Sequence, residues 1–172
     1  MSHNRQKKIA VINDISGFGK CSVTAALPII SAMGVQCCPL PTAILSNHTE
    51  YPSYSFFDYT EHMENYMKEW KKLDLRFSGI CTGFLGSERQ IEIVEEFLSM
   101  FQEKETKVIV DPIMGDAGKT YETYTDELCE RMHRLVEHAD IITPNVTEAC
   151  ILTNTAYRND FSVEDKIGRA HV

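Results

Sequence analysis

Four short polar clusters could do chemistry in this chain. Asp111 and Asp116 bracket Pro112-Ile113-Met114-Gly115, directly after the apolar run Lys107–Val110. Carboxylates at a strand end can hold Mg2+, usually through water, although loop and turn chemistry explains the same residues equally well. Thr143-Pro144-Asn145-Val146-Thr147-Glu148 sits where a strand hands over to a helix. Asn145 suits the N-cap and Glu148 the return half of a capping box; the alternative sets both beside a cation and phosphate groups. Ser46-Asn47-His48-Thr49 follows apolar Ala43-Ile44-Leu45. Its imidazole, amide and hydroxyls can read the edge of a polar heterocycle, or simply cap a loop.

Gly17-Phe18-Gly19-Lys20-Cys21-Ser22 invites comparison with a phosphate loop. Aligning Gly19-Lys20 with that motif puts Asp14 at its first glycine and Cys21 at its hydroxyl position, so the motif fails. The dinucleotide fingerprint fails too, because Ser22 stands where a third glycine belongs. What remains is a glycine turn that lets backbone approach a ligand, or a plain strand-to-helix turn that needs none. His3, His62, His133, His138 and His171 show no metal-ligand spacing. Tyr121-Glu122-Thr123-Tyr124 reads as a surface loop.

These clusters need a scaffold, and the pattern supplies an alternating one. Lys8–Asn13, Val35–Leu40, Phe77–Thr82, Lys107–Val110 and Ile141–Thr143 read as strands. Ser22–Met33 carries Val23, Ala26, Leu27 and Ile30 at helical spacing, closed by Gly34. Tyr59–Lys72 carries Met63, Tyr66, Met67 and Trp70 on one face. Ser87-Glu88-Arg89-Gln90 is a capping box before Ile91, Val94, Leu98 and Phe101. Thr125–His138 is marked by Leu128, Met132, Leu135 and Val136. Strand and helix in alternation predict an α/β fold with a mainly parallel sheet flanked by helices. Such sheets bind ligands beyond the C-terminal ends of their strands, where Asn13, Thr82-Gly83, Asp111 and Asn145 fall.

Composition narrows the partners. The 172 residues are 43% hydrophobic and 24% charged, ordinary for a globular protein, with net charge −8. That acidity argues against nucleic acid or an anionic membrane as partner. No apolar run approaches the roughly 20 residues of a membrane span, and the expected location is cytoplasmic. Six cysteines without a C-x-x-C pair read as small buried hydrophobes in a reducing compartment. Cys37 and Cys38 should face opposite sides of a strand. From Phe161 the chain starts like a helix, with Ser162 as N-cap, and stops after about two turns. The expectation is a truncated unit, residues 1–166, followed by a possibly non-native tail, 167–172.

Taken together, Ser46-Asn47-His48-Thr49, Thr82-Gly83-Phe84-Leu85-Gly86-Ser87, Asp111–Asp116 and Ile141–Ala149 resemble the pyridoxal kinase family of the ribokinase-like fold, from Ile9 to about Leu152. The last two segments also look like the hydroxymethylpyrimidine kinases; the Ser-Asn-His-Thr segment tips the choice. The resemblance implies ATP-dependent phosphorylation of the 5′-hydroxyl of pyridoxal, pyridoxine or pyridoxamine, with Mg2+, a monovalent cation as a further candidate, and a homodimer. By position it implies substrate binding by Asn13, His48, Thr49 and Phe84. Asp111, Thr143, Asn145 and Glu148 fall on the ATP and phosphate side, and Asp111, Asp116 and Glu148 on the metal side. Asn13-Asp14 departs from the family's Ser-His, and Phe84 replaces a frequent Tyr.

The family's Gly-x-Gly-Asp motif supplies the base that takes the hydroxyl proton, and no such motif occurs in these residues. The expectation is therefore an inactive fragment of a kinase. A hydroxymethylpyrimidine kinase fragment and a non-catalytic vitamer-binding module are the alternatives.

Overall fold

The computed structural model describes residues 5–121 and 124–162; the expected C-terminal helix and the tail 167–172 lie largely outside them. Its centre is strand β1 (Lys8–Ser16), flanked by β2 (Gln36–Leu45) and β4 (Gly79–Thr82). Beyond β4 lie β5 (Lys107–Val110) and β8 (Ile141–Ile142), and beyond β2 the short edge strand β3 (Phe56–Asp58). All pairs in this six-stranded sheet are parallel except β2–β3. The predicted mainly parallel α/β sheet is therefore what forms, and the C-terminal ends of β1, β2, β4, β5 and β8 share one rim.

Two strands run further than their sequence suggested. β1 continues to Ser16 through a bulge between Asn13 and Ile15. β2 continues past Pro39 and Pro41 to Leu45. The Gln36 N–H points at β1, donating to the Lys7 carbonyl. By the two-residue period, Pro39 and Pro41 turn their missing donors to the other side. There β3 pairs only with residues 43–45, so no ladder bond is lost.

One sheet face carries the core. Ala10, Ile12, Cys38, Leu40, Ile80, Val108 and Val110 are buried beneath α2 (Thr60–Lys72), α3 (Glu88–Phe101) and α4 (Asp126–Val136). Met63 and Met67 of α2 and Leu128, Met132 and Leu135 of α4 seal it, as their spacing required. Each fully buried aliphatic side chain there contributes about 1.5–3 kcal/mol. The opposite face is covered by α1 (Ser22–Ala32), of which only Val23 is buried. Leu27, read as core-facing, is exposed together with Ile29 and Met33, because nothing in the described residues packs over that side of the helix. Gly34 closes α1 at φ +75°, as predicted.

Cys38 lies in the core and Cys37 half-buried on the other face, as the strand reading required. The six cysteines are free, and burial pushes the Cys38 and Cys81 thiols up to about 11. No helix of the described residues is long and apolar enough to cross a membrane.

Candidate functional site

The segment after β2 is braced from below by the turn after β1. The His48 N–H donates to the Phe18 carbonyl at 2.9 Å, and the Gly17 N–H to the Leu45 carbonyl at 2.9 Å. A Cβ on Gly19, whose φ is +125°, would stand 2.8 Å from His48 Cβ. The glycines of the 17–19 turn thus let its backbone approach Ser46 and His48 closely. His48 Nδ1 accepts the Glu50 N–H at 3.2 Å. The Glu50 carboxylate lies 3.7 Å from the same nitrogen. With Nδ1 accepting that N–H, Nε2 is the ring atom left to carry a hydrogen and donate. Gly19, Cys21, His48, Glu50 and Tyr51 line a cavity of about 380 Å³, within the usual size of small-molecule sites. Thr49 is exposed beside it.

The segment after β4 is held on both sides. Asn13 Oδ1 accepts the Phe84 N–H at 2.9 Å. Gln90 Oε1 accepts the Gly86 N–H at 2.8 Å, while its amide donates to the Thr42 carbonyl and the Thr60 hydroxyl. This corrects the expected capping box. Ser87 does cap α3 by accepting the Gln90 N–H, but the Gln90 side chain reaches one residue further back, to Gly86. Tyr124 corrects the surface-loop reading. It is buried, and its hydroxyl donates to the Leu85 carbonyl at 3.0 Å; burial pushes that phenol well above its ordinary range. Phe84 itself remains half-buried at the rim.

The acidic corner joins β5, β8 and α5 (Val146–Leu152). Asp111 Oδ1 accepts the Thr143 hydroxyl at 3.0 Å. Burial holds the Asp111 carboxyl above its ordinary range, and the Thr143 hydroxyl opposes part of that rise. Asn145 and Glu148 form the complete capping box: Asn145 Oδ1 accepts the Glu148 N–H at 3.0 Å, and Glu148 Oε2 accepts the Asn145 N–H at 2.8 Å. Glu148 Oε1 also accepts the Met114 N–H at 3.2 Å. The carboxylate is 3% exposed and raised by burial, with Asp111 adding like-charge repulsion. Capping and an acidic corner therefore coexist in the same two residues.

Asp116 stands apart from them. It lies on a hairpin the sequence did not reveal, β6 (Gly115–Asp116) with β7 (Lys119–Thr120), and its exposed carboxylate accepts the Ala117 N–H. Among the described residues no three of His, Cys, Asp and Glu form a ready metal cluster. The expected Asp111, Asp116 and Glu148 set is thus not a direct three-ligand cage. A cation here would sit between Asp111 and Glu148 and keep much of its water, as Mg2+ does. Two partly desolvated carboxylates, one of which raises the charge cost of the other, fit such an ion.

Tyr121 ties the two sides together. Burial raises its hydroxyl first, and then Asp116, Glu148, Glu50 and Asp111 each add to the rise. Glu50, two residues from His48, follows β2, and the Asp111–Glu148 corner follows β5 and β8, so both lie beyond the C-terminal ends of strands in the same sheet. Sequence reasoning passed over Glu50, placed Tyr121 in a surface loop and gave Gln90 only a capping role, although a polar residue in the first turn of an apolar helix carried a signal. A larger depression of about 820 Å³ lies at the opposite end of the sheet, among Glu95, Glu103, Lys104, His138 and Asp140. It is remote from the strand C-termini and gathers none of these groups.

The model of the phosphomethylpyrimidine kinase family matches residues 18–171. A Bacteroides thetaiotaomicron protein, provisionally assigned as a phosphomethylpyrimidine kinase, shares 45% identity with a TM-score of 0.92, covering 96% of this chain and 58% of that one; a second crystal form of it contains pyridoxal. Leishmania donovani pyridoxal kinase, solved with ADP and pyridoxamine, is 25% identical with a TM-score of 0.80, covering 96% of this chain and 61% of its own. Dictyostelium discoideum pyridoxal kinase is 25% identical over 158 residues, 88% of this chain and 50% of that protein. The chain thus spans about half the length of that curated relative. With the family model matched over most of its length, the chain belongs to the phosphomethylpyrimidine kinase family, with the pyridoxal kinases among its relatives.

Proposed function

We propose that this chain forms the substrate-ring and cation portion of a kinase that transfers the γ-phosphoryl of ATP to the 5′-hydroxyl of pyridoxal, pyridoxine or pyridoxamine. The observation that carries the reading is placement: the His48 segment follows β2 and the Asp111–Glu148 corner follows β5 and β8, all at the C-terminal ends of strands in one sheet. Phe84 would pack on the substrate ring, keeping the stacking face that an aromatic residue provides. His48 would donate from Nε2 and Thr49 from its hydroxyl to ring substituents, with Asn13 beneath them. Asp111, Thr143, Asn145 and Glu148 would face the phosphates. A Mg2+ ion held by Asp111 and Glu148, with Asp116 reaching it through water, would supply charge neutralisation for the transferring group; a monovalent cation would suit the same acidic corner.

Phosphoryl transfer also needs a proton acceptor and fixed donors on the transferring group. The 172 residues contain no Gly-x-Gly-Asp to provide them. Loss of one electrostatic donor commonly lowers rates by about 10²–10³, so we propose that this chain alone turns over negligibly. The test is an ATP-dependent assay with pyridoxal and pyridoxamine; clear turnover that Glu148→Ala abolishes would refute it. A cytoplasmic setting belongs to the same reading, supported by six free thiols. So does a homodimer, supported by exposed Phe56 and Phe57 on edge strand β3, and sedimentation of the chain tests it.

The description of the matched family favours a second reading, a hydroxymethylpyrimidine kinase. Preference for the aminopyrimidine alcohol over pyridoxal in direct binding would select it. Saturable vitamer binding with no nucleotide site would instead indicate a binding module.

A further inference from the structure

The turn after β2 is fastened by its own hydrogen bonds. The Tyr51 N–H donates to the His48 carbonyl at 3.2 Å, the Asn47 amide to the Ser53 carbonyl at 2.9 Å, and the Ser55 N–H to the Ser46 hydroxyl at 2.8 Å. These bonds hold Glu50 and Tyr51 on the wall of the cavity of about 380 Å³, together with Gly19, Cys21 and His48. The Tyr51 ring stands 5.4 Å from the Phe18 ring, tilted by 46°, and both are exposed. Their faces are therefore not spent in the core. Among the described residues the Glu50 carboxylate accepts no hydrogen bond, and no lysine or arginine pairs with it. Its approach of 3.7 Å is to His48 Nδ1, the nitrogen that accepts the Glu50 N–H.

We infer that Glu50 and Tyr51 make this cavity a site for an organic cation, and so turn vitamer preference toward the aminomethyl ammonium of pyridoxamine. The carboxylate gives an ammonium an acceptor, and the aromatic face beside it attracts the same charge. A hydroxymethyl group can donate to the carboxylate but brings no charge for either group to attract. One carboxylate beside aromatic rings is a poor seat for a metal ion, which needs several oxygen ligands. Lys20 opposes the preference. It is exposed and lies between Gly19 and Cys21 without forming part of the wall. Its charge is screened within about 8–10 Å at ordinary salt, whereas Glu50 meets the ligand at contact. The inference deepens the vitamer kinase reading above and rests on it.

Isothermal titration of the 172-residue chain with pyridoxamine and with pyridoxine tests this, since neither forms a Schiff base with lysine. At neutral pH and low salt pyridoxamine is expected to bind about fivefold tighter. That advantage should shrink in about 0.5 M salt. Glu50→Gln keeps the shape of a side chain that is 89% exposed, so folding is not at stake, and it should bring the two affinities within about twofold. Tyr51→Leu keeps bulk without the ring face and should remove part of the advantage. Equal affinities in the unmodified chain, or tighter pyridoxine, overturn the inference. So does a ratio that either variant leaves unchanged, and each of these results leaves the vitamer reading standing. Binding of neither vitamer overturns that reading and the inference with it.

Discussion

Replacing Glu148 with alanine separates its structural and electrostatic roles. The side chain is 3% exposed and accepts the Met114 N–H at 3.2 Å and the Asn145 N–H at 2.8 Å. Alanine leaves both donors without a partner. Each unsatisfied buried donor costs about 1–3 kcal/mol, less where water can enter. Asn145 keeps its own bond to the Glu148 N–H, so the half of the capping box that is lost is the Asn145 N–H bond already counted. Against these stands the relief of a desolvated charge that Asp111 repels. The net expectation is a loss of about 2 kcal/mol, or roughly 4–8 °C in Tm for a chain of this size. Glu148→Gln keeps one acceptor but turns an NH2 toward the other N–H, and should lose about half as much. Thermal unfolding by circular dichroism reads both variants. In the unmodified chain millimolar Mg2+ should raise Tm, and in both variants that increment should shrink. A Glu148→Ala variant as stable as the parent would refute the two-bond accounting, and an undiminished Mg2+ increment would refute the cation role.

Other perturbations probe the remaining supports. Burial holds Asp111 and Glu148 above their ordinary values of 3.8 and 4.5, so the folded chain binds their protons more tightly than the unfolded chain does. Their contribution is full below those values and lost as pH rises through the raised ones. Relative to a chain carrying Asp111→Asn and Glu148→Gln, the parent should lose stability as pH rises above about 4 in urea titrations; a constant difference would contradict this. Gln90→Leu removes the bonds to Gly86, Thr42 and Thr60, and denaturant unfolding should show a loss of about 2–4 kcal/mol. Gly19→Ala, at φ +125° and 2.8 Å from His48 Cβ, should cost about 1–3 kcal/mol and weaken pyridoxine binding in the same titration cell. Tyr124→Phe should cost about 1 kcal/mol through the Leu85 carbonyl it leaves unpaired.

What was legible in the sequence follows from how local each signal is. The α2, α3 and α4 faces, the Gly34 terminus and the Asn145–Glu148 box rest on spacing within a few residues, and all formed as read. The β6–β7 hairpin and β3 are two or three residues long, too short for periodicity to show. Pro39 and Pro41 hid the length of β2, since their tolerance depends on which neighbour lies on which side. Gln90 and Tyr124 were misread because their partners, Thr42 and Leu85, lie 48 and 39 residues away. The rim behaved similarly. Each cluster was visible by itself, but Tyr121 as their meeting point required the fold.

The most direct test is amide-resolved NMR of the isotope-labelled chain, titrated first with pyridoxine and then with Mg2+ and ADP. Pyridoxine should shift Asn13, His48 and Phe84, and the nucleotide should shift Gly115, Asn145 and Glu148. Tyr121 should respond to both. Shifts confined to separate surfaces, or a nucleotide response at His138 and Asp140 with Tyr121 silent, would contradict a single shared rim.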